Sequence, residues 1–385
     1  MTLDEVKEYV YICTRCNTCK YTTDTYLPSC PAGERFLFEP YFGSGKVWIA
    51  RGIIEGNIKF SDSIVKKIFS CPVCGNCGEI CDMMIGDHIV EIIEALRTAA
   101  VEAGYGPLPE HKGYSGYIDK EHNPYAEPHK NRLDWLDDKE KAELKEKAEV
   151  LYFVGCTSSY RQNKIARATY DLLKKIGIDF TISPEEWCCT SPLLRTGQIN
   201  GVKEIANHNL DVIQKTGAKT IVTSCAGCYR TLKKDYEKLY GKKPDFDILH
   251  ITEYLSKLLA DKKIEVKPAE EKVTYHDPCH LGRHCGIYKP PRKLIKAIVG
   301  KKNLIEMPRN EKNAWCCGAG GGVKSAFKDW SVDIAIERIK EAEATGANIL
   351  ITSCPFCYRN LQDAIDKSGS KIKLYDITEY LLERL

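Results

Sequence analysis

Hydrophobic and polar positions follow two different rhythms along the 385-residue chain. From about residue 150 onward, short apolar runs such as "EVLYFVG" and "AKTIVTSC" have the length and β-branched content of buried strands. The segments "RQNKIARATYDLLKKIGI" and "CYRTLKKDYEKLYG" repeat their apolar positions at the spacing of an amphipathic helix. This alternation of strands and helices predicts α/β architecture.

The first 104 residues show little regular strand signal, but "DHIVEIIEALRTAAVEAG" (87–104) has helical spacing and ends on Gly104. Residues 105–137 are rich in Pro, Gly, Tyr and His without periodicity, which predicts a long irregular connector over a neighbouring domain. The charged segment "DKEKAELKEKAEV" that follows predicts a solvated helix. We therefore expect a helical domain and a linking segment before the α/β part.

The α/β part is internally duplicated. The stretch "KTIVTSCAGCYRTL" (219–232) matches "ANILITSCPFCYRNL" (347–361), and "LHITEYLSKLL" (249–259) matches "YDITEYLLERL" (375–385). Repetition at a fixed offset predicts two homologous α/β halves that pack as a pseudo-symmetric pair. The predicted organisation is a helical domain over 1–104, a connector over 105–149, and two repeats over 150–265 and 266–385.

Composition adds one exceptional feature, a count of 19 cysteines. An odd count excludes full disulfide pairing within one chain. No secretory signal and no apolar run of about 18 residues is evident, so we expect a cytoplasmic protein that reaches a membrane only through a partner subunit. In a reducing compartment many cysteines bind metal more often than they pair. The net charge of +3 gives no argument for nucleic acid as a partner.

The first region holds two cysteine triplets, each followed by a fourth cysteine. Such a triplet lets one loop bind three corners of a 4Fe–4S cubane, while the fourth thiolate reaches across to the other cluster. The spacing predicts one cubane held by Cys13, Cys16, Cys19 and Cys81, and a second held by Cys71, Cys74, Cys77 and Cys30. The long gap before Cys30 departs from bacterial ferredoxin spacing and indicates a loop insertion, and Asp82 stands where a proline is usual. Zinc is the alternative metal, since a CxxC pair is an ordinary zinc half-site.

Five cysteines recur in one order in each repeat. The first repeat has Cys156, Cys188, Cys189, Cys225 and Cys228, and the second has Cys279, Cys316, Cys317, Cys354 and Cys357. Several of them follow predicted strands, and open α/β sheets bind ligands beyond the carboxyl ends of their strands. The alternative for any one of them is a buried structural cysteine.

The tags "GCTSSY", "HDPCHLGRH", "WCCGAGGG" and "SCPFCYRNL" resemble the cysteine-rich CCG family. A dicluster ferredoxin segment fused to two such repeats is similar to the D subunits of heterodisulfide reductases. The resemblance implies a multi-domain fold, an N-terminal α-helical dicluster ferredoxin domain before two α/β CCG domains. It also implies a non-cubane 4Fe–4S cluster held by the five cysteines of each repeat. Adjacent thiols suit such a cluster, because each of them can bind a different iron.

The second repeat carries further candidate groups. Gly318, Gly320, Gly321 and Gly322 remove side chains after the cysteine pair, so that backbone N–H groups can approach sulfide or substrate; a flexible turn is the alternative. Candidates for proton donation or for pairing with an anionic substrate surround Cys279: His276, His280, Arg283 and His284. Each could equally be a supporting or core residue. Cys285 lies outside the five-cysteine pattern and is interpreted as a spare thiol.

The resemblance implies a disulfide reductase subunit. Electrons would enter from a redox partner, a flavoprotein or a membrane cytochrome b, and pass through the cubanes to the paired non-cubane clusters. A small disulfide, of the coenzyme M–coenzyme B type found in methanogenesis, would be cleaved there to two thiols. Related subunits also serve glycolate, lactate and glycerol-3-phosphate oxidation and membrane complexes, so an electron relay is the alternative function, and a zinc-stapled scaffold is a third. No flavin signature is evident, so any flavin belongs to another subunit.

Overall fold

The computed structural model describes residues 2–385. Residues 2–104 are helical, as the pattern predicts, and their one β contact is an isolated bridge between Tyr21 and Pro28. Val47, Phe69, Ile92 and Leu96 are fully buried and form the core of this region. Its helices are α1 Lys7–Val10, α2 Pro31–Phe36, α3 Gly43–Ile54, α4 Asp62–Phe69, α5 Asn76–Glu79 and α6 Ile89–Glu102.

The connector is more regular than predicted. It contains helix α7 (Gly113–Glu121), whose only buried residue is Ile118. A helix with one buried apolar residue shows no repeating apolar positions, so the hydrophobic pattern does not predict it. Helix α8 covers only Asp138–Ala142, so the predicted solvated helix is too long. The chain beyond α8 bonds to the sheet instead, with the Ala148 N–H 3.2 Å from the Thr216 carbonyl oxygen.

The connector packs over both repeats, whereas the sequence predicts contact with a neighbouring domain. The Tyr125 hydroxyl lies 2.8 Å from Thr157 Oγ1 in the first repeat. The His111 Nε2 atom lies 2.8 Å from the Gly322 carbonyl oxygen in the second. The connector therefore bridges the two halves.

The first repeat is a parallel sheet in the order β2-β1-β3-β4, covered by helices. Its strands are β1 Val150–Tyr152, β2 Phe180–Thr181, β3 Thr220–Thr223 and β4 Asp247–His250. A π-helical turn over Thr231–Asp235 joins α13 to α14. The helices are α9 Cys156–Tyr160, α10 Asn163–Ile176, α11 Ser191–Arg195, α12 Val202–Lys215, α13 Ala226–Arg230, α14 Tyr236–Tyr240 and α15 Ile251–Ala260.

The second repeat has the same parallel arrangement in the order β5-β6-β7. One parallel bridge from Val273 to Leu304 takes the place that β2 has in the first repeat. Its strands are β5 Val273–Tyr275, β6 Ile349–Thr352 and β7 Lys373–Asp376. The helices are α16 Lys289–Val299, α17 Val323–Ala326, α18 Lys328–Glu343, α19 Pro355–Ser368 and α20 Ile377–Leu382.

The two repeats share their hydrophobic cores. One core joins Leu151 and Ile221 of the first repeat to Leu350 and Leu361 of the second. A second core joins Tyr152 to residues of the opposite repeat in the same way. The predicted duplication and pairing of the α/β halves are confirmed. Within residues 2–385, no helix has both the length and the apolar character needed to span a membrane.

Candidate functional site

The site begins where the strands end. Cys156 and Cys279 follow strands β1 and β5, while Cys225 and Cys354 cap the helices that follow β3 and β6. Parallel strands place their carboxyl ends at one edge of a sheet, so these thiols converge. The prediction that cysteines follow the strands is confirmed.

A cavity of about 800 Å³ lies between the two repeats. Every cysteine of the two repeat sets except Cys316 contributes to its wall, and neither repeat supplies the wall alone. The lining cysteines are Cys156, Cys188, Cys189, Cys225, Cys228, Cys279, Cys317, Cys354 and Cys357. The cleft between the repeats is therefore a thiol-lined chamber.

The thiols approach one another both within and across the repeats. Contacts with Cys225 of the opposite repeat and with Cys357 hold the pKa of Cys354 well below its usual range, despite burial. In the same way, contacts with Cys188 and Cys228 lower the pKa of Cys189. No cysteine in the described part of the chain forms a disulfide. A dense group of buried, unbridged thiols is the donor chemistry that iron–sulfur clusters require.

Arg132 and Glu186 lie beside Cys156 of the first repeat. The two terminal nitrogens of Arg132 lie 3.9 and 3.8 Å from the Cys156 sulfur, and the guanidinium also pairs with Glu186. The Glu186 carboxylate accepts backbone N–H bonds of 2.7 Å from Val154 and 2.9 Å from Gly155. Sequence reasoning missed both residues, because neither belongs to a cysteine tag.

His276 has a distinctive place in the second repeat. Its Nδ1 accepts a 3.1 Å hydrogen bond from Arg338 Nε, so the ring proton sits on Nε2. That Nε2 is buried without a hydrogen-bond partner in residues 2–385. A ligand atom of His276 and the sulfurs of Cys317 and Cys357 lie within 4.8 Å of one another. The predicted candidate therefore lies beside these two cysteines.

His280 lines the cavity. Its Nε2 lies 3.5 Å from a terminal nitrogen of Arg230. Burial, with the charges of Arg230 and Arg195, holds the pKa of His280 well below its usual range. The uncharged imidazole of His280 is therefore favoured.

Arg283 and His284 make their hydrogen bonds outside the cavity, although a ring nitrogen of His284 lies within 4.8 Å of the Cys279 sulfur and of His280. Arg283 Nε donates to the Cys74 carbonyl oxygen at 2.8 Å, and its Nη1 donates to the Ala314 carbonyl oxygen at 2.7 Å. His284 Nε2 lies 3.0 Å from the Val73 carbonyl oxygen. Neither residue lines the cavity. The bonds to Cys74 and Val73 dock the second repeat on the N-terminal region, and the predicted role of Arg283 and His284 toward a substrate stays a prediction.

The glycines after Cys317 allow other segments of the chain to pack closely against the backbone. A Cβ on Gly320 would lie 2.7 Å from the Pro72 carbonyl oxygen, and one on Gly321 would lie 2.7 Å from that of Cys71. Added Cβ atoms on Gly322 and Gly318 would meet His111 Nε2 at 2.5 Å and the Ser331 carbonyl oxygen at 2.6 Å. All but Gly318 also line the cavity. Close packing of the chain accounts for each of the four glycines.

The N-terminal cysteines fall into two groups. Burial raises the pKa of Cys30 to about 12, and the charges of Cys71 and Cys74 add to the rise. Burial also raises the pKa of Cys81, and the charges of Cys16 and Cys13 add to that rise. Each fourth cysteine is therefore near the triplet that the crossed spacing assigns to it. Cys285 is separate from these groups, and burial raises its pKa to about 11.

The second triplet lies directly against the second repeat. Contact with Cys316 lowers the pKa of Cys74 to about 6. The fully buried Arg97 holds this junction, donating to the Cys71 carbonyl oxygen at 2.6 Å and to that of Gly321 at 2.9 Å. Sequence reasoning missed Arg97, which looks like an ordinary residue of helix α6. Arg97 also donates to the Arg195 carbonyl oxygen of the first repeat at 2.6 Å, but the contact between thiols at this junction is that of Cys74 with Cys316 of the second repeat.

Comparison with known proteins agrees with this architecture. The CCG cysteine-rich domain matches residues 150–233 and 273–362. The fold and the site define a tandem cysteine-rich iron–sulfur oxidoreductase component.

The D subunit of dihydromethanophenazine:CoB–CoM heterodisulfide reductase from Methanosarcina barkeri is 39% identical over 97% of this chain and 93% of its own. The chain belongs to the family of heterodisulfide reductase D subunits.

More distant relatives carry other names. The B subunit of fumarate reductase (CoM/CoB) from Methanothermobacter marburgensis is 33% identical over 90% of this chain and 65% of its own. EtfAB:quinone oxidoreductase of Syntrophomonas wolfei is 30% identical over 82% of this chain and 46% of its own. The crystal structure of a hypothetical protein from Helicobacter pylori has a TM-score of 0.56 at 12% identity, covering 99% of this chain and 71% of that one. That likeness concerns the fold alone.

Proposed function

We propose that this protein is the disulfide-reducing subunit of a redox complex, cleaving a small disulfide of the coenzyme M–coenzyme B type to two thiols. The observation that carries the proposal is the single cavity lined by cysteines of both repeats. A disulfide has two sulfurs that each need an electron, and a chamber between two thiol sets offers one set to each. The Methanosarcina barkeri relative supports the same substrate class.

The cysteines fit a cluster in each repeat. The first set is Cys156, Cys188, Cys189, Cys225 and Cys228, and the second is Cys279, Cys316, Cys317, Cys354 and Cys357. A non-cubane cluster in each set would supply one electron to each sulfur of the substrate. The N-terminal cysteines would hold two cubanes, forming a dicluster ferredoxin domain.

The position of the N-terminal region supports a direction for electrons. Because Cys74 contacts Cys316, the second repeat lies next to the N-terminal cysteine sets. A flavoprotein or a membrane cytochrome b would deliver electrons to the N-terminal sets, with the first repeat last in line.

The reaction balances as a disulfide plus two electrons and two protons giving two thiols. The cavity supplies a neutral His280, whose burial favours the uncharged imidazole. A neutral imidazole relays a proton by accepting one at one nitrogen and releasing one from the other. The connector closes one wall through Tyr114 and Tyr125, which limits access of water.

Iron content tests the cofactor part of the proposal. Four 4Fe–4S clusters predict about 16 iron atoms per chain in anaerobically purified protein. Fewer than about ten iron atoms, or stoichiometric zinc, would exclude the proposal and favour the zinc-stapled scaffold. Reduction of a small disulfide by chemically reduced protein tests the catalytic part.

A second candidate keeps the clusters without disulfide chemistry. The similarity to EtfAB:quinone oxidoreductase favours an electron relay serving a flavin dehydrogenase or a quinone-linked complex. A relay needs no open chamber, so no thiol should alter its paramagnetic signals. A change in the signal of the oxidised protein on adding a thiol would favour the reductase, and no change with any thiol would favour the relay.

A further inference from the structure

Each repeat places one arginine at the same position. The shared sequence "CYR" sets Arg230 two residues after Cys228 and Arg359 two residues after Cys357. Arg230 lies in helix α13 after strand β3, and Arg359 lies in helix α19 after strand β6. The duplication therefore makes these two arginines equivalent, and their surroundings can be compared directly.

Arg230 is neutralised by carboxylates. Its Nη2 lies 3.1 Å from Glu94 and 3.9 Å from Asp235. Glu94 comes from helix α6 of the N-terminal region and also pairs with Arg195 at 2.5 Å. Glu94 and Asp235 also neutralise Arg195, which lines the cavity on this side.

Arg359 has no such partner. It lines the cavity and is half-buried, yet it forms no ion pair or side-chain hydrogen bond within residues 2–385. Asp363, one turn further along α19, pairs instead with Lys324. A partly buried guanidinium without a counter-ion is costly unless something else supplies the charge.

The groups beside Arg359 suit an anion. Tyr114 and Tyr125 line the same cavity, and the charge of Arg359 opposes the rise in pKa that burial gives their phenols. Lys328, also on the cavity wall, is exposed and likewise forms no ion pair or side-chain hydrogen bond within the described chain. Tyr125 bonds to Thr157, so this end of the cavity is the one beside the first repeat's cysteines.

We propose that Arg359 determines specificity by binding an anionic group of the disulfide substrate, a carboxylate, sulfonate or phosphate. The guanidinium fork matches these oxyanions through paired hydrogen bonds. Because Glu94 and Asp235 already neutralise Arg195 on the cavity wall, the anionic half of the substrate lies toward Arg359. The inference rests on the proposed function, since it assigns a subsite of the same cavity.

Two symmetric disulfides of equal length separate charge recognition from the chemistry. One carries sulfonates, as 2-sulfonatoethyl disulfide, and the other carries hydroxyls, as 2-hydroxyethyl disulfide. For Arg359→Gln we expect KM for the sulfonate to rise about 10- to 100-fold with kcat unchanged, because a hydrogen bond between charged groups is lost. KM for the hydroxyl compound should stay within about twofold, and Arg359→Lys should recover part of the loss because it keeps the charge.

Lys340→Gln is the matched control, removing one positive charge from the exposed surface of α18. It should leave both KM values unchanged. Equal effects of Arg359→Gln on the two disulfides, or no effect on either, would overturn the inference. Iron content and circular dichroism equal to wild type confirm that each variant is folded.

A binding measurement keeps the inference separate from the proposed function. Calorimetric titration of the oxidised protein with 2-mercaptoethanesulfonate should show binding that Arg359→Gln weakens at least tenfold. If that holds but wild type reduces neither disulfide, the proposed function fails and the anion site stands. If wild type reduces the sulfonate compound and Arg359→Gln binds the thiol equally well, the anion site fails and the function stands. A wild type that does neither overturns both.

Discussion

The two cysteine-rich repeats hold their thiols in the same register but surround them with different groups. Each repeat has a tyrosine bonded to a serine, Tyr152 to Ser224 at 3.0 Å and Tyr275 to Ser353 at 2.8 Å. The next residue in the first repeat is the buried Phe153, whereas in the second it is His276. The two repeats therefore share the tyrosine–serine hydrogen bond but differ in the side chain that follows the tyrosine.

The residue two positions before each adjacent cysteine pair shows the same divergence. Glu186 precedes the tryptophan of the first pair and binds Arg132, while Ala314 holds the equivalent place in the second. The second pair instead meets Cys74 of the N-terminal region. The repeats are therefore not interchangeable: we infer that one faces the electron donor and the other faces the substrate's anionic end.

The largest expected effect comes from removing one thiol of either central pair. Cys189→Ser and Cys317→Ser should each lose about four iron atoms. Each single variant should lower the rate of disulfide reduction by about three orders of magnitude or more. The double variant should be only slightly slower than either, because the two cysteine sets act as a unit. Iron analysis and thiol release measure both effects.

Cys285→Ser is the control for these variants, because this thiol is outside both sets. It should keep wild-type iron and activity. A Cys189→Ser protein that retains half of the activity would contradict the joint action of the two repeats.

Glu186→Ala makes the first repeat resemble the second at this position. It leaves the buried Arg132 guanidinium, whose side chain is 2% exposed, without its carboxylate. Breaking a buried ion pair on one side costs about 3–5 kcal/mol of unfolding free energy. Urea denaturation followed by tryptophan fluorescence measures this loss.

Lys340→Gln serves as the comparison for this experiment, since it breaks an exposed pair with Glu337 and should cost less than about 1 kcal/mol. A loss for Glu186→Ala no larger than that of Lys340→Gln would show that the Arg132 pair is dispensable.

The helix caps of the repeats also differ, with His250 capping α15 where Asp376 caps α20. Burial lowers the pKa of His250 from 6.5 to about 4. As pH falls below 6.5, His250 binds a proton in the unfolded chain but stays unprotonated in the folded one. The free energy of unfolding therefore decreases as pH falls toward about 4.

Between pH 7 and pH 5 this loss amounts to about 2 kcal/mol. His250→Asn keeps a good capping residue and should remove that part of the acid sensitivity. Urea midpoints at the two pH values measure it. Identical pH dependence in wild type and variant would show that His250 does not contribute.

His276→Phe gives the second repeat the residue of the first. A ring nitrogen of His276 lies within 4.8 Å of the Cys317 sulfur, and removing its N–H, worth about 1 kcal/mol toward a bound thiolate, should lower the potential of a cluster held by the second repeat by about 40 mV. Potentiometric titration monitored by electron paramagnetic resonance measures it. Phe153→Leu should leave every potential unchanged, and an equal shift in both variants would contradict a specific role for His276.

The sequence predicted the strands and the cysteine positions better than the residues that contact those cysteines. Strands such as Thr220–Thr223 end at a cysteine tag, so their apolar runs and the convergence of the thiols were both visible in one segment. The contacts of Arg97 and Arg132 were not, because each joins segments distant in the chain and leaves no local spacing. The pairing of Arg230 with Glu94 likewise joins distant segments, so the sequence does not show that Arg230 is paired while the equivalent Arg359 is not.

A single-turnover experiment tests the central claim, that the chamber between the repeats reduces a disulfide. Fully reduced protein, freed of excess reductant, is mixed with 2-sulfonatoethyl disulfide and the released thiols are counted. We predict at least two thiols per chain in wild type, since under the proposed function each repeat would contribute one electron, and none in Cys189→Ser or Cys317→Ser. Protein that contains all four clusters and releases no thiol would contradict the account.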